Sequence, residues 1–544
     1  MKYEFKLFSS LEKIFFKIPE HIPSYTKGSM LKNELYSFQL AMWVSQCIEN
    51  RYYYKLEINS ELKDFIKVYK VGFVPSMVNC ITSNCDENYI TTEPGIFPDP
   101  LYELEGDKVE LFSNQARTLW FTVDAPGKSG VFPINIKLRD DEDNVICDVT
   151  HTLTVIDANL PKQTLYNTGW FHGDCIAVLH NVEILSDEYF ELVRDYLKVY
   201  VKFGHNMILT PIFTPPLDTA VGTERPTNQL IDVFVNDGEY SFKFDKLFRW
   251  IDVCKDCGIE YFEISHLFTQ WGAKFAPKVM ATVDGEYKRI FGWETEAMSE
   301  EYQSFIDIML GELTKALKSA RVYEKCWFHV SDEPNDKNLE QYKHTKGVML
   351  KYISENRIID ALGNYTFYEK GVITKPVVGL NYMTPFLDNN AKNIWGYYCV
   401  SQGKGVSNRF MAMPSYRNRI LGVQLYKNNI EGFLQWGFNF WFSQYSKKVI
   451  NPFADTNADG AFPGGDPFVV YPKVDGKIVC SLRLYVFYEA LQDLRALQLL
   501  EELTDRKTVD ELLCDIYRFE TYPKSSDYLI NLRQKINEKI AELI

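Results

Sequence analysis

Between residues 165 and 440 the chain alternates eight short apolar runs with stretches of helical period, and this alternation constrains the fold more than any other feature. The runs are 165–171, 207–212, 260–266, 325–330, 357–362, 377–380, 394–400 and 432–440. Apolar runs of this length, spaced by helices, read as strands of a buried parallel sheet. The helices announce themselves. Ser186 precedes Asp187 and Glu188, an N-cap followed by acids that suit the positive end of the helix dipole. Phe190, Val193, Leu197 and Val201 then recur on one face, and Gly204 ends the pattern. A second helix is expected over 245–257, stopped by Gly258, and a third over 300–319. Eight such units predict a (β/α)8 barrel of TIM type. No G-x-G-x-x-G opens the first helix, which argues against a doubly wound dinucleotide fold.

The first 160 residues have a different texture. Short alternating runs such as Leu119-Trp120-Phe121-Thr122-Val123 recur between turn clusters, with no sustained helical period. Residues 132–138 and 145–156 flank the polar stretch 139–144, a clear hairpin. A β-sandwich is the natural architecture for such a segment. Asp157-Ala158-Asn159-Leu160-Pro161 reads as the linker out of it. Beyond the eighth run comes a loop rich in Gly, Pro and Asp, about 450–478, and then helices over 481–503 and from about 527 to the end. The predicted class is therefore α/β: an N-terminal β-sandwich over 1–160, a barrel over 161–478 and a helical segment over 479–544 packed on the barrel.

Bulk properties narrow the function. The formal net charge of −14 is spread along the chain, whereas nucleic acids and anionic membrane surfaces reward clustered Lys and Arg. Neither is expected as a partner. The 11 cysteines have no regular spacing, and the one C-x-x-C, Cys254 to Cys257, has no second pair or nearby His to complete a zinc site. They read as structural thiols. The first twenty residues are broken by charges and lack a small-residue cleavage site, so no signal peptide is expected. No run of about 18 apolar residues suggests a membrane span. Together these features predict a cytoplasmic protein.

In a barrel, the site forms at the C-terminal ends of the strands. Those ends carry His172 and Asp174, His266 and Trp271, Ser331-Asp332-Glu333-Pro334, Asn364, Asn381 and Tyr382, Tyr397, and Trp436 with Asn439. Carboxylates, amides, phenols and indoles together suit a glycan or small saccharide as substrate. There is neither a G-x-S-x-G elbow nor a phosphate loop. The centre is the pair Asp332-Glu333. Consecutive residues of a strand face opposite ways, so both acids reach one cleft only where the strand ends and the chain turns. Pro334 helps by keeping Glu333 out of the helical region. Two adjacent carboxylates repel, which raises one pKa and leaves a proton donor beside an anion. The competing bland reading is a helix N-cap, since Ser, Asp, Glu and Pro all favour helix starts. His172, His266 and His329 could instead bind a metal with Asp174 or Asp332, although no H-x-H or H-x-x-x-H spacing is present. No cofactor or metal is expected. Of Trp436 and Trp441, only one should face the cleft.

These motifs resemble glycoside hydrolase family 123, the β-N-acetylgalactosaminidases and their relatives. The resemblance runs through Lys32-Asn33-Glu34, Gln115-Ala116-Arg117, Trp170-Phe171-His172, Ser331-Asp332-Glu333-Pro334 and Gly432-Phe433-Leu434-Gln435-Trp436. It continues with Gly465-Asp466-Pro467-Phe468, Ser481-Leu482-Arg483 and Gln492-Asp493-Leu494-Arg495. It implies a retaining, substrate-assisted mechanism with Glu333 as general acid/base and Asp332 orienting the substrate's 2-acetamido group. A carbohydrate-binding protein without catalysis and a metal-dependent barrel hydrolase are the alternatives.

Overall fold

The computed structural model describes residues 1–46, 49–269, 273–334, 337 and 339–544, with backbone alone at Thr82. Two sheets form the N-terminal part. One runs Lys2–Ser9, Leu35–Ser45, Arg117–Asp124, Ile66–Ser76 and Gly95–Glu103 in spatial order, all antiparallel. The other runs Lys27–Leu31, Val145–Ile156, Gly130–Arg139, Arg51–Asn59 and Lys108–Phe112. Alternate residues from both sheets meet in one core, Phe38, Leu40 and Phe121 from the first against Ile134, Ile136 and Leu153 from the second. The hairpin turn at 139–144 falls where its polar residues predict.

The eight apolar runs all form parallel strands: β1 Tyr166–Gly169, β2 Met207–Thr210, β3 Tyr261–Ile264, β4 Cys326–Phe328, β5 Asp360–Leu362, β6 Pro376–Gly379, β7 Trp395–Tyr397 and β8 Gly432–Gln435. Their spatial order is β4-β3-β2-β1-β8-β7-β6-β5. The result is a curled parallel sheet in which first and last strands in the chain are neighbours. Across the seam between β4 and β5 the pairing is one parallel bridge, Phe328 with Ile358. Side chains alternate as a two-residue period requires. Met207, Leu209, Trp327, Val377 and Trp395 point into the curl, while Ile208, Phe328 and Val378 join the outer core under the helices. Inside, Trp395 stacks on Tyr166 at 5.3 Å and meets Trp327 edge-on at 5.4 Å, giving the curl an aromatic floor. Gly432 makes room for this. A Cβ there would sit 2.2 Å from the Trp395 ring.

The helices cap as their sequences predict. Asp187–Lys202, Glu300–Ser319 and Leu482–Leu503 each begin after a serine whose side chain accepts from the backbone N–H three residues on. Three hairpins depart from the sequence expectation. Asp232–Asn236 with Glu239–Lys243, and Val279–Val283 with Glu286–Phe291, build a separate four-stranded sheet in the long connections after β2 and β3. Val470–Val474 with Lys477–Ser481 forms where a loop was expected, and it extends the first N-terminal sheet through Cys480 and Leu101. All three turn on Asp-Gly: Asp237-Gly238, Asp284-Gly285 and Asp475-Gly476, each with both residues at positive φ. That dipeptide is the signature of the two-residue turn whose twist matches a hairpin.

The last hairpin leads into a joint. Arg483, at the start of the helix Leu482–Leu503, donates Nε to Asp99 Oδ1 at 2.7 Å and Nη2 to Asp99 Oδ2 at 2.9 Å, with both side chains at most 2% exposed. Removing one partner would strand a buried charge. We expect Arg483→Ala to lower stability by about 3–5 kcal/mol, read as a shift in urea-unfolding midpoint. Replacing Arg483 and Asp99 together by apolar residues of similar size should recover most of that loss.

Candidate active site

β4 runs out at Phe328, and the acid pair lies within the next five residues. Glu333 takes φ of +45° just before Pro334. A left-handed non-glycine residue costs about 1–3 kcal/mol and persists only where its surroundings hold it. The turn brings Asp332 and Glu333, both half-buried, into the lining of one cavity of about 150 Å³. The next described helix begins only at Leu339. Size alone would not pick this cavity out. Hollows of about 640 and 560 Å³ lie against the N-terminal sheets, but neither contains the acid pair.

Aromatic and apolar side chains wall the cavity: Trp170 after β1, Tyr397 on β7, Leu434 on β8, and Trp436 with Phe462 beyond it. The Tyr397 hydroxyl donates to Glu333 Oε1 at 2.8 Å. Burial, then the Glu333 carboxylate, push Asp332 well above the usual carboxylate range. The pair therefore favours one proton between its two members. Burial and the Glu333 charge also keep the Cys399 thiol protonated, raising its pKa well above the ordinary value. A thiol in that state is a poor nucleophile. Among the described lining residues there is no Lys, Arg or His.

Beneath the pair lies a buried charge network. Glu263 on β3 is fully buried and accepts from Thr168 Oγ1 at 2.6 Å, from Trp170 Nε1 at 2.7 Å and from His329 Nε2 at 2.6 Å. It thereby orients the Trp170 ring that walls the cavity. His329 Nδ1 lies 3.4 Å from Asp360 Oδ1. Asp360 in turn accepts from the Val330 N–H at 3.1 Å. Burial disfavours a charge on His329, but Asp360 and Glu263 outweigh it and lift its pKa to about 10. His266 stacks on His329 with centroids 4.2 Å apart and planes 20° apart, and burial and that neighbour hold it neutral. His266, His329 and Asp360 bring ligand atoms within 4.8 Å of one another. The stacking does not fit a shared metal, because an ion in the plane of one ring cannot also lie in the plane of the other. The cluster is built around a proton.

The residues singled out from sequence separate into groups. Asp332, Glu333, Tyr397 and Trp436 line the cavity. Trp441 is fully buried and donates to the Val470 carbonyl. His172, Asp174 and Asn439 turn into the scaffold. Asn439 exchanges two hydrogen bonds with the His172 backbone. His172 donates Nε2–H to the Trp436 carbonyl and accepts from Arg225 on Nδ1, with its pKa lowered to about 3 by burial and Arg225. Asp174 holds the same Arg225 through two bonds of 2.7 and 2.8 Å. His266 is buried behind Trp170. Asn364 caps the helix Tyr365–Glu369 by accepting from the Thr366 N–H. Asn381 accepts from Gln402, and Tyr382 is 44% exposed and outside the cavity lining. Trp271 lies outside the described residues.

Sequence reading missed Arg225, Glu263, Asp360, Asp218 and Asp466. Glu263 and Asp360 had a signal, since a charged residue inside a buried strand must have a partner. Asp218 sits in a loop and had none, and Asp466 stood in a family motif with no role attached. Asp466 accepts from Trp436 Nε1 at 3.1 Å and from Gln435, and burial, opposed by Arg409, raises it to about 7.

The family model described as "Glycoside hydrolase 123, catalytic domain" matches residues 170–500, more than half of the chain. The chain belongs to glycoside hydrolase family 123. A solved family 123 glycoside hydrolase from Clostridium perfringens, studied for glycolipid glycan hydrolysis, superposes with a TM-score of 0.73 at 15% identity, covering 99% of this chain and 98% of its own. At that identity the match speaks for a shared fold. A β-glucuronidase from Parabacteroides merdae covers 84% of this chain and 50% of its own at 11% identity, with a TM-score of 0.29. No sequence among the curated proteins compared matches this one. No helix among the described residues is long and apolar enough to cross a membrane.

The His329 network makes a pH prediction. Its folded pKa of about 10 exceeds the ordinary value of 6.5, so its stabilisation is full below pH 6.5 and is lost as pH rises through about 10. Nitrogen-15 imidazole shifts should show both ring nitrogens protonated at pH 8. A neutral His329 signal at that pH would contradict the network.

Proposed function

We propose that the chain is a retaining glycosidase that removes a terminal β-linked N-acetylgalactosamine, or a closely related 2-acetamido sugar, by substrate-assisted catalysis. The observation that carries this reading is the adjacency of Asp332 and Glu333 on one wall of an aromatic cavity. A protein nucleophile must approach C1 from the face opposite the acid, with the two carboxyls about 5–5.5 Å apart on separate supports. Consecutive residues suit a different division of labour, in which one gives the proton and the other holds the group that attacks. The curled sheet is read as a TIM-type barrel, and the Phe328–Ile358 bridge supports its closure. A lining without cations among the described residues favours a neutral sugar over a uronic or sialic acid.

On this reading Glu333 donates its proton to the glycosidic oxygen while the acetamide carbonyl oxygen attacks C1 and the aglycone bond breaks. Asp332 accepts the acetamide N–H and stabilises the cationic oxazolinium. Water then opens that ring at C1, and Glu333 takes back a proton, leaving the anomeric configuration unchanged. Binding itself sets the protonation. In the free site burial favours the proton on Asp332, and an N–H donor arriving there favours its charged form, which moves the proton to Glu333. Trp170, Tyr397 and Trp436 supply faces and edges for the pyranose. Glycolipid glycans, on which the Clostridium relative was studied, are the natural class of substrate to assay.

Glu333→Gln should lower kcat/KM by about 10²–10⁴-fold on glycosides with poor leaving groups, and much less on dinitrophenyl glycosides, which need little protonation. Asp332→Asn should impair both kinds. The wild type should cleave a 2-hydroxy analogue far more slowly than the 2-acetamido parent. Equal turnover of those two sugars would sink the substrate-assisted reading.

A further inference from the structure

The cavity holds a third carboxylate for which the proposed mechanism has no task. Asp218 lies in the connection after β2 and lines the same cavity as Asp332 and Glu333. Its placement is over-determined. The backbone takes φ of +48°, outside the comfortable range for an L side chain. The Tyr445 N–H donates to Asp218 Oδ2 at 2.9 Å, and Ser446 Oγ donates to the Asp218 carbonyl at 3.0 Å. Tyr445 and Ser446 are themselves left-handed, at φ of +58° and +52°. From behind, the buried Arg225 donates to the carbonyl of the preceding residue, Leu217. Three strained residues from two loops thus fix one half-buried carboxylate at the cavity wall. Strain of this kind persists where the rest of the structure enforces it, and it gathers at ligand sites.

We propose that Asp218 is a specificity-determining residue that accepts hydrogen bonds from ring hydroxyls of the terminal sugar. The inference rests on the reading of this cavity as a 2-acetamido sugar site. An ionised carboxylate only accepts, and its two oxygens have about four lone-pair sites. The backbone N–H groups of Tyr445 and Ser446 both bond this carboxylate and hold it at the cavity wall. Hydroxyl groups are the donors that a neutral pyranose offers, and a carboxylate facing them forms the stronger, charge-assisted type of bond. A sugar lacking the matched hydroxyl leaves that carboxylate desolvated and poorly paired, which is how a polar site rejects a near-isostere. Asp218 reports on the non-reducing end, so the enzyme is exo-acting toward a sugar with that hydroxyl unsubstituted.

The test uses the full chain as wild type and as Asp218→Asn. Asparagine keeps an oxygen for the Tyr445 N–H but presents a neutral amide to the sugar. Substrates are the nitrophenyl 2-acetamido-2-deoxy-β-galactoside and its 3-, 4- and 6-deoxy forms. Wild-type kcat/KM should fall about 100-fold on one deoxy form. D218N should fall comparably on the parent, yet little further on that same deoxy form. Equal loss on every analogue would assign Asp218 to scaffolding or to attack at C1, and no loss anywhere would remove it from the site; either overturns the proposal. If D218N does not fold, as read by its melting temperature, the wild-type deoxy series decides alone: no discrimination among the four refutes the proposal. If the wild type turns over none of these glycosides, the catalytic reading fails by itself. Calorimetric binding of free N-acetylgalactosamine and its deoxy forms then judges Asp218 by the same pattern in Kd.

Discussion

Charge burial at the end of β4 governs the rest of the molecule. Glu263 and Asp360 meet one imidazole, that of His329, and Asp332 and Glu333 follow it in the chain; two of these four acids are fully buried. Isolated carboxylates in such surroundings would take up protons or open the structure to water. His329 resolves this for Glu263 and Asp360 by carrying a proton far above its ordinary pKa. It also lies close enough to Asp332 to oppose, in part, the rise that burial and Glu333 impose. The acid pair thus rests on a cation that is itself locked by two anions. The same Glu263 that holds His329 orients the Trp170 ring, so the electrostatics of the floor and the shape of the wall come from one side chain.

Many motif residues outside the cavity share a role that sequence alone could not disclose. They are joints. Asn33 accepts from the Leu160 N–H and donates to the Leu160 carbonyl. Gln492 does the same with both backbone groups of Leu35. Arg533 bridges Glu34 and Asp493, and Asp493 also holds Arg419. Arg409 ties Gln435, the Gly437 carbonyl and the Asp466 carbonyl together, and Asp466 orients Trp436. The N-terminal sheets, the parallel sheet and the C-terminal helices are joined by buried ionic and amide contacts of strict geometry. Such contacts contribute little net stability against an apolar alternative, but they penalise misplacement heavily. A cavity walled by residues from β1, β4, β7 and β8 needs that kind of registration.

How much of this was legible in the sequence follows from which forces are local. Strands β1 to β8 were readable because apolar runs and helix caps are local signals, as at Ser186, Ser299 and Ser481. The Asp-Gly hairpins were equally local and were passed over, since each lay inside a stretch already taken for a connection. The destinations of polar side chains at strand ends were not local. His172, Asp174 and Asn439 occupy strand-end positions as predicted, yet Arg225, from a loop about fifty residues on, draws His172 and Asp174 inward. Nothing near residues 172–174 announces an arginine at 225. Asp332 and Glu333 escaped that fate because Pro334 and a left-handed Glu333 leave the chain no straight continuation in which one of them could face the helices.

Under the retaining reading proposed above, Asp218 bears on the choice between a protein nucleophile and the substrate's own amide, because a third carboxylate lines the cavity. Its tethers argue for the hydroxyl-reading role. A nucleophile gains from a carboxylate oxygen free to approach carbon. The Tyr445 and Ser446 backbone N–H groups both hold the Asp218 carboxylate. Asp218 also sits on a loop pinned by strained turns, whereas attack on C1 requires an oxygen to close to bonding distance and then withdraw. A hydrogen-bond acceptor needs no such travel. The 2-acetamido oxygen, carried by the sugar itself, reaches C1 without any movement of the protein. On the proposed reading, the adjacent acids supply what that internal attack requires: a proton for the leaving group and an anion for the amide N–H. The carboxylate left over is then best used where the sugar's remaining donors are.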